Sequence, residues 1–232
     1  MFLKSVQIVP FHLFAPADLF KWRMGLSADQ LGAALRAVEA DHPAVAATLA
    51  KVGVPLPRIR ERGFASLART IVGQQVSVSA AASMWNRLDT AAGGAGNPAR
   101  ILALTDQEMR AAAMSRQKAS YLRSLAEEVS SGRLDLDRLP EDDEAAIEAL
   151  TRVKGIGRWS AEIYLLFAEG RTDIWPAGDL AVQVEVGRIL DLPERPREAE
   201  VRALAEAWRP HRGAMAILCW HSYEAGSGKT PL

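Results

Sequence analysis

Cysteine occurs once in the chain, at Cys219. That scarcity excludes an intramolecular disulfide, a four-cysteine iron–sulfur cluster and a cysteine-based zinc finger, and it suits a reducing, cytoplasmic compartment. Histidine is nearly as rare: His12, His42, His211 and His221 never stand at a metal-ligand spacing such as H-E-x-x-H. An excess of one charge is missing too. The 28 basic and 28 acidic side chains cancel, so no global field favours a polyanion and any such site must be local. No apolar run approaches the length of a bilayer span. The N-terminal MFLKSVQIVPFHLFAPADLF is broken by Lys4, Pro10, His12 and Pro16, so neither a signal peptide nor a transmembrane helix is expected, and no membrane partner. Internal repeats and low-complexity linkers are also lacking.

What is present is helix. With 232 residues and 49% hydrophobic content, the chain can bury one sizeable core or two small lobes sharing a cleft. Alternation of apolar and polar residues is confined to the first 25 positions (Val6, Ile8, then Phe11, Leu13), where a short strand or extended arm is possible. From Ser27 the pattern turns helical. Ser27 with Gln30 forms a capping box, Leu31, Leu35 and Val38 follow at helical spacing, and Asp41-His42-Pro43 restarts a helix that stops at Gly53. VPLPRIRER reads as a connector because its prolines disfavour helix. Phe64, Leu67, Ile71 and Val72 mark the next helix, with a cap near Ser77 or Ser79. AAGGAGNPAR is a loop, Thr105 with Glu108 is a second capping box, and the periodicity then runs to Gly132 with an interruption around MSRQK. Pro140 followed by EDDE supplies an acidic helix start, and later helices are expected at about 158–169, 179–190, 197–208 and 211–224. The predicted fold class is mainly α.

The stretch VKGIGRWSAEIYLL, residues 153–166, carries two glycines immediately before a helix-forming run. A dinucleotide fingerprint would need a third glycine where Ser160 stands and a strand where EAAIEALTR is helical, so that reading fails. A plain interhelical turn remains open. So does a hairpin that presents backbone amides to a phosphate, with glycines letting the ligand approach and Lys154 and Arg158 adding local positive charge. The C-terminal EAGSGKTPL imitates a phosphate loop, but Tyr223 occupies the place of its first glycine and no helix can follow.

LTRVKGIGRWSAEIYLL resembles the helix-hairpin-helix of the DNA glycosylase superfamily, and IWPAGDLAVQ supplies the loop ending in an aspartate some twenty residues later. IVGQQVSVSAAA, MSRQKASYLRSLA and AWRPHRGAMAILCW extend the resemblance over roughly residues 60–224, most closely to the 3-methyladenine DNA glycosylase II branch. The long members carry a mixed α/β domain before this core, and here only about 60 residues precede it. The resemblance implies two helical lobes with a DNA-binding cleft between them. An N-terminal arm with helices (1–61) packs on the terminal lobe, 62–172 forms the lobe carrying the hairpin (about 147–168), and 173–232 holds the aspartate loop and closing helices.

The implied activity is base excision in double-stranded DNA containing damaged bases, by a monomer associated with the nucleoid. Breaking an N-glycosidic bond develops positive charge on the sugar, so a carboxylate at that carbon stabilises the transition state; Asp179 is the candidate, although an aspartate before LAVQVEVGRIL also reads as a helix cap. Relatives that also cleave the strand place a Schiff-base lysine where this chain has Trp159, which implies hydrolysis without lyase activity. Trp159 and Trp220 could stack on cationic alkylated purines, or simply fill the core, and Ile163 replaces a pocket tyrosine. The base must be flipped out of the duplex. The break at Met114, Ser115, Arg116 and Gln117 matches the wedge loop, with Arg116 in a leucine's place, or is an ordinary solvated turn; Ser115, Arg116, Gln117 and Lys118 are the DNA-contacting candidates there. Lys154, Gly155, Ile156, Gly157 and Arg158 would grip the DNA backbone. In relatives, carbonyls matching Thr151, Val153 and Ile156 hold a monovalent cation; no cofactor is required. Two other readings stay open: a glycosylase for uracil, deaminated or oxidised bases, and a non-catalytic module that binds damaged DNA.

Overall fold

A computed structural model describes residues 25–227, and the arm expected over residues 1–25 lies almost wholly outside them. Among the described residues every regular element is helical. Helix α1 (Ala28–Asp41) opens on the Ser27/Gln30 capping box and α2 (Pro43–Val52) carries Pro43 at its start, where a missing N–H costs nothing. α3 (Phe64–Gly73) buries Phe64, Leu67, Ile71 and Val72, and Ser77 rather than Ser79 caps α4 (Val78–Ala92). Two short helices, α5 (Pro98–Ala103) and α6 (Asp106–Ala111), follow; the Thr105/Glu108 capping box starts the second. α7 (Arg116–Ser130) is next, then α8 (Asp143–Thr151) and α9 (Arg158–Phe167) flank the glycine turn. α10 (Leu180–Ile189), α11 (Glu198–Leu204) with a 3-10 turn (Ala205–Trp208), and α12 (Arg212–Ser227) complete the chain.

One expected start moves. α8 begins at Asp143 with Asp142 as its cap, not at Pro140. The carbonyls of Pro140 and Glu141 are taken by the guanidinium of Arg171, which also pairs with Asp143 and with the buried Glu169. Glu169 in turn pairs with Arg62, so two arginines share one carboxylate in the interior. Holding a non-helical Pro140–Glu141 satisfies a buried cation that would otherwise be costly.

The helices sort into two packed sets. α3 packs on α4 and α7, α7 on α5 and α6, and α8 on α9; in the other set α12 packs on α10, α1 and α2, and α10 on α11. Contact between α3 and α9 closes the first set beneath the glycine turn. The connector after Gly53 is tied to α9: Arg60 N–H donates to the Phe167 carbonyl, and Gly63 N–H donates to the Tyr164 hydroxyl. Tyr164 is therefore a buried brace, and its phenol pKa is raised, chiefly by burial. No helix among the described residues is long and apolar enough to cross a membrane.

Candidate active site

The two hairpin glycines do different work. Gly155 has φ +86, and a Cβ added there would lie 2.1 Å from the Tyr121 ring. Glycine is needed both for the left-handed turn and for close packing. Tyr121 is itself held by Gln117, whose Nε2 donates to its hydroxyl at 2.6 Å. Gln74, just past the end of α3, donates to the Gly155 carbonyl at 2.7 Å, and the Lys154 N–H donates to Ser124 Oγ at 3.1 Å. The turn is thus clamped from α3 and α7. Gly157 differs: its φ is −87, it caps α9, and an added Cβ would meet nothing within 4 Å. Only Gly157 leaves space open on the outside.

Of the amides expected to grip phosphate, Lys154 N–H goes to Ser124 and Ile156 N–H to the Val153 carbonyl. Gly155, Gly157 and the first residues of α9 keep backbone N–H groups with no protein acceptor among the described residues. Unpaired amides at a helix N-terminus form an anion site.

Arg158 was expected on the DNA backbone, and the structure commits it elsewhere. Its guanidinium forks onto Glu144 (2.8 and 2.5 Å) and its Nε donates to the buried Glu162 at 2.9 Å. These carboxylates raise its pKa, the Glu144 hydrogen bond first. Burial raises the Glu162 pKa against the pull of Arg202 and Arg158. Arg158→Ala should therefore act on stability. We expect a loss of about 1–2 kcal/mol, less than a fully buried pair because Arg158 is part-exposed and Arg202 remains near Glu162. Thermal denaturation with parallel DNA titration checks this: Tm falls and affinity holds.

The interruption at MSRQK is a helix start. Ser115 caps α7, accepting the Lys118 N–H, so Arg116, Gln117 and Lys118 form its first turn. Lys118 Nζ donates to the Val72 carbonyl at 2.7 Å, which ties α7 to the end of α3, and Gln117 holds Tyr121. Arg116 lines a groove of about 530 Å³ shared with Arg110, Arg152 and Lys154. Lys118 and Gln117 are braces, so of the cations expected at the DNA backbone Arg116 and Lys154 are the two left exposed, with Arg110 and Arg152 exposed beside them in the groove.

A second cleft, about 930 Å³, is lined by Trp159 and Ile163 of α9, Arg60 of the connector, Arg69 of α3, and Gln74 and Gln75. Trp159 is 47% exposed, whereas Ile163 is only 4% exposed. Trp220 does not reach this cleft: its ring packs edge-on against Phe167 at 5.5 Å beneath the Arg58 guanidinium. Gln75 sits on the rim with φ +57, an unusual conformation for a residue with a side chain. The sequence of the GQQVS stretch does not by itself assign these glutamines a task. Gln74 and Gln75 follow directly on a helix end, a position where polar side chains can bond across to a neighbouring turn, and that was the available signal.

Asp179 ends the loop IWPAGD, where Trp175 is buried and donates its indole N–H to the Val201 carbonyl at 3.2 Å. Asp179 is both helix cap and site residue. Its Oδ1 accepts from Ala181 N–H (2.9 Å) and Val182 N–H (3.1 Å), while Oδ2 accepts from the Trp159 indole N–H at 2.8 Å. Three neutral donors hold the carboxylate and leave its charge uncancelled. The single cysteine takes no part in such chemistry: Cys219 is buried, and burial first, then the charges of Glu185 and Asp179, raises its thiol pKa.

The family described as the HhH-GPD superfamily base excision DNA repair protein matches residues 68–210. DNA-3-methyladenine glycosylase 1 of Schizosaccharomyces pombe is 30% identical over 177 residues, covering 75% of this chain and 78% of that one. A DNA-3-methyladenine glycosidase from Bacillus halodurans superposes with a TM-score of 0.75 at 28% identity, over 84% of this chain and 91% of that one. The Schizosaccharomyces pombe 3-methyladenine DNA glycosylase in complex with abasic DNA gives a TM-score of 0.66 at 27% identity, over 84% and 96%.

Proposed function

Since the chain belongs to the HhH-GPD superfamily of base excision DNA repair proteins, we propose that it hydrolyses the N-glycosidic bond of alkylated purines, of the 3-methyladenine and 7-methylguanine type, in duplex DNA. The observation that carries this reading is the Asp179 carboxylate, fixed by the α10 amides on one oxygen and the Trp159 indole on the other. As the bond between C1′ and the base nitrogen lengthens, positive charge builds on the sugar and the fixed carboxylate stabilises it. Water then bonds to C1′, its proton passes to the carboxylate or to solvent, and the electron pair leaves with the base. A cationic base needs little acid assistance as a leaving group.

Hydrolysis stops at the abasic site because Trp159 stands where a strand-cleaving relative has its lysine, so no amine is available there for a Schiff base. The hairpin's unpaired amides at Gly155, Gly157 and the start of α9 would receive one backbone phosphate, with Lys154 and Arg116 near it. For the gap left by the flipped base, Gln75 is better placed than Arg116. It lines the Trp159 cleft on a projecting left-handed residue, whereas Arg116 lines the neighbouring groove. α8 ends at Thr151, so its last carbonyls lack helical donors. A monovalent cation, which would add positive charge beside the phosphate, would be held by the carbonyls of Thr151 at that end and of Val153 and Ile156 in the turn beyond it, with Val153 also accepting the Ile156 N–H. The reading supposes a monomer acting on DNA.

A second reading has one observation in its favour. With Trp220 packed away, the cleft offers one exposed indole beside Arg60 and Arg69, a weak cage for a cation, which favours a range reaching deaminated or oxidised bases. A panel of duplexes carrying single lesions separates the two. Release of 3-methyladenine and 7-methylguanine well above uracil and 8-oxoguanine is the expected outcome, with strands intact until alkali is added and no borohydride-trapped complex. Activity on uracil or 8-oxoguanine alone overturns the alkylpurine reading, and a trapped complex overturns the hydrolytic one.

A further inference from the structure

The contact between Trp159 and Asp179 assigns the tryptophan a task beyond stacking on a base. We infer that the Trp159 indole N–H is the positioning group for the Asp179 carboxylate, joining the helix that grips DNA to the oxygen that faces the sugar. This rests on the proposed glycosylase reading but makes a separate claim.

Three features support it. The bond is short, 2.8 Å from indole Nε1 to Oδ2, and it spans twenty residues of sequence between the first turn of α9 and the cap of α10. The other oxygen is already fixed by two α10 amides, so without the indole the carboxylate is held on one side only and can turn about that anchor. The donors are all neutral. A lysine or arginine at this point would also orient the carboxylate, but it would cancel the charge needed by the sugar, whereas an indole N–H can donate without carrying charge. Trp159 is 47% exposed, so core packing is not what holds the ring in place.

The location has a consequence. Trp159 is the second residue of α9, whose first amides remain open for a phosphate. A phosphate that seats α9 also seats the indole, and the indole seats Oδ2. DNA grip and carboxylate orientation are therefore linked through one side chain.

Trp159→Phe keeps an aromatic face and removes only the donor. The tests are the single-turnover base-release rate at saturating DNA, the DNA dissociation constant, and the Trp159 indole N–H resonance followed by ¹⁵N NMR. A lost hydrogen bond to a charged group is expected to slow release about tenfold. DNA affinity should stay within about twofold. The wild-type indole N–H should also shift in Asp179→Leu, a reporter that needs no turnover. A base-release rate unchanged in Trp159→Phe, or an indole resonance blind to Asp179→Leu, overturns the assignment and leaves Trp159 as a stacking wall. Absence of base release by the wild type would instead count against the glycosylase reading and leave the NMR result to decide this one.

Discussion

Asp179→Asn should abolish most base release while leaving the fold and the DNA complex in place. Removing one preorganised charge-stabilising group costs catalysis on the order of 10²–10³-fold, and on the proposed reading the group is a full charge facing the sugar. The substitution suits the test because asparagine caps helices about as well as aspartate. Its side-chain oxygen can still accept the Ala181 and Val182 amides that hold Oδ1, so α10 should keep its start. What changes is the other position, where an amide NH₂ meets the Trp159 indole in place of a carboxylate oxygen. Tm should move by no more than a few degrees, and binding to abasic-site DNA should persist. Base release at the wild-type rate would show that Asp179 is only a cap, which is the reading any aspartate before a helix invites.

Gly155→Ala is the second large effect, and it acts on structure. At φ +86 a Cβ is strained, at about 1–2 kcal/mol. It would also fall 2.1 Å from the Tyr121 ring, which α7 holds in place through Gln117; overpacking of this kind costs about 1–3 kcal/mol. Together these lower Tm by roughly 5–15 °C for a domain of this size, and DNA affinity falls with the distorted turn. Gly157→Ala is the control. With φ −87 and no atom within 4 Å of an added Cβ, it should leave Tm nearly unchanged. Any loss of DNA affinity in Gly157→Ala then reports on the approach of a phosphate to the amides. Equal Tm losses in the two variants would contradict the division of labour between the glycines.

The helical class was legible because its signals are local. The Ser27/Gln30 and Thr105/Glu108 capping boxes and the periodic apolar faces each act within a few residues, and they formed as expected. The α8 start moved to Asp143 because Arg171, thirty residues on, claims the Pro140 and Glu141 carbonyls, and no local rule sees that partner. Side-chain partners were illegible for the same reason. Arg158 beside a glycine turn reads as a phosphate ligand until Glu144 and Glu162 are brought to it by packing. Lys118 reads as a surface cation until the end of α3 presents the Val72 carbonyl. Trp220 reads as a pocket wall, but its register on α12 sends the ring against Phe167. Trp159 and Asp179 were each singled out, yet only the fold shows the hydrogen bond between them.

The central claim is that a fixed, uncancelled carboxylate at Asp179 drives hydrolysis of an alkylated purine from DNA. The most direct measurement is chromatographic and mass-spectrometric identification of what the wild-type protein liberates from methylated duplex DNA, with the strand analysed in parallel before alkali. Free 3-methyladenine and 7-methylguanine above an unbroken strand bearing abasic sites is the predicted result. DNA bound tightly with no base released, or a strand cut with a sugar fragment left on the protein, would contradict it.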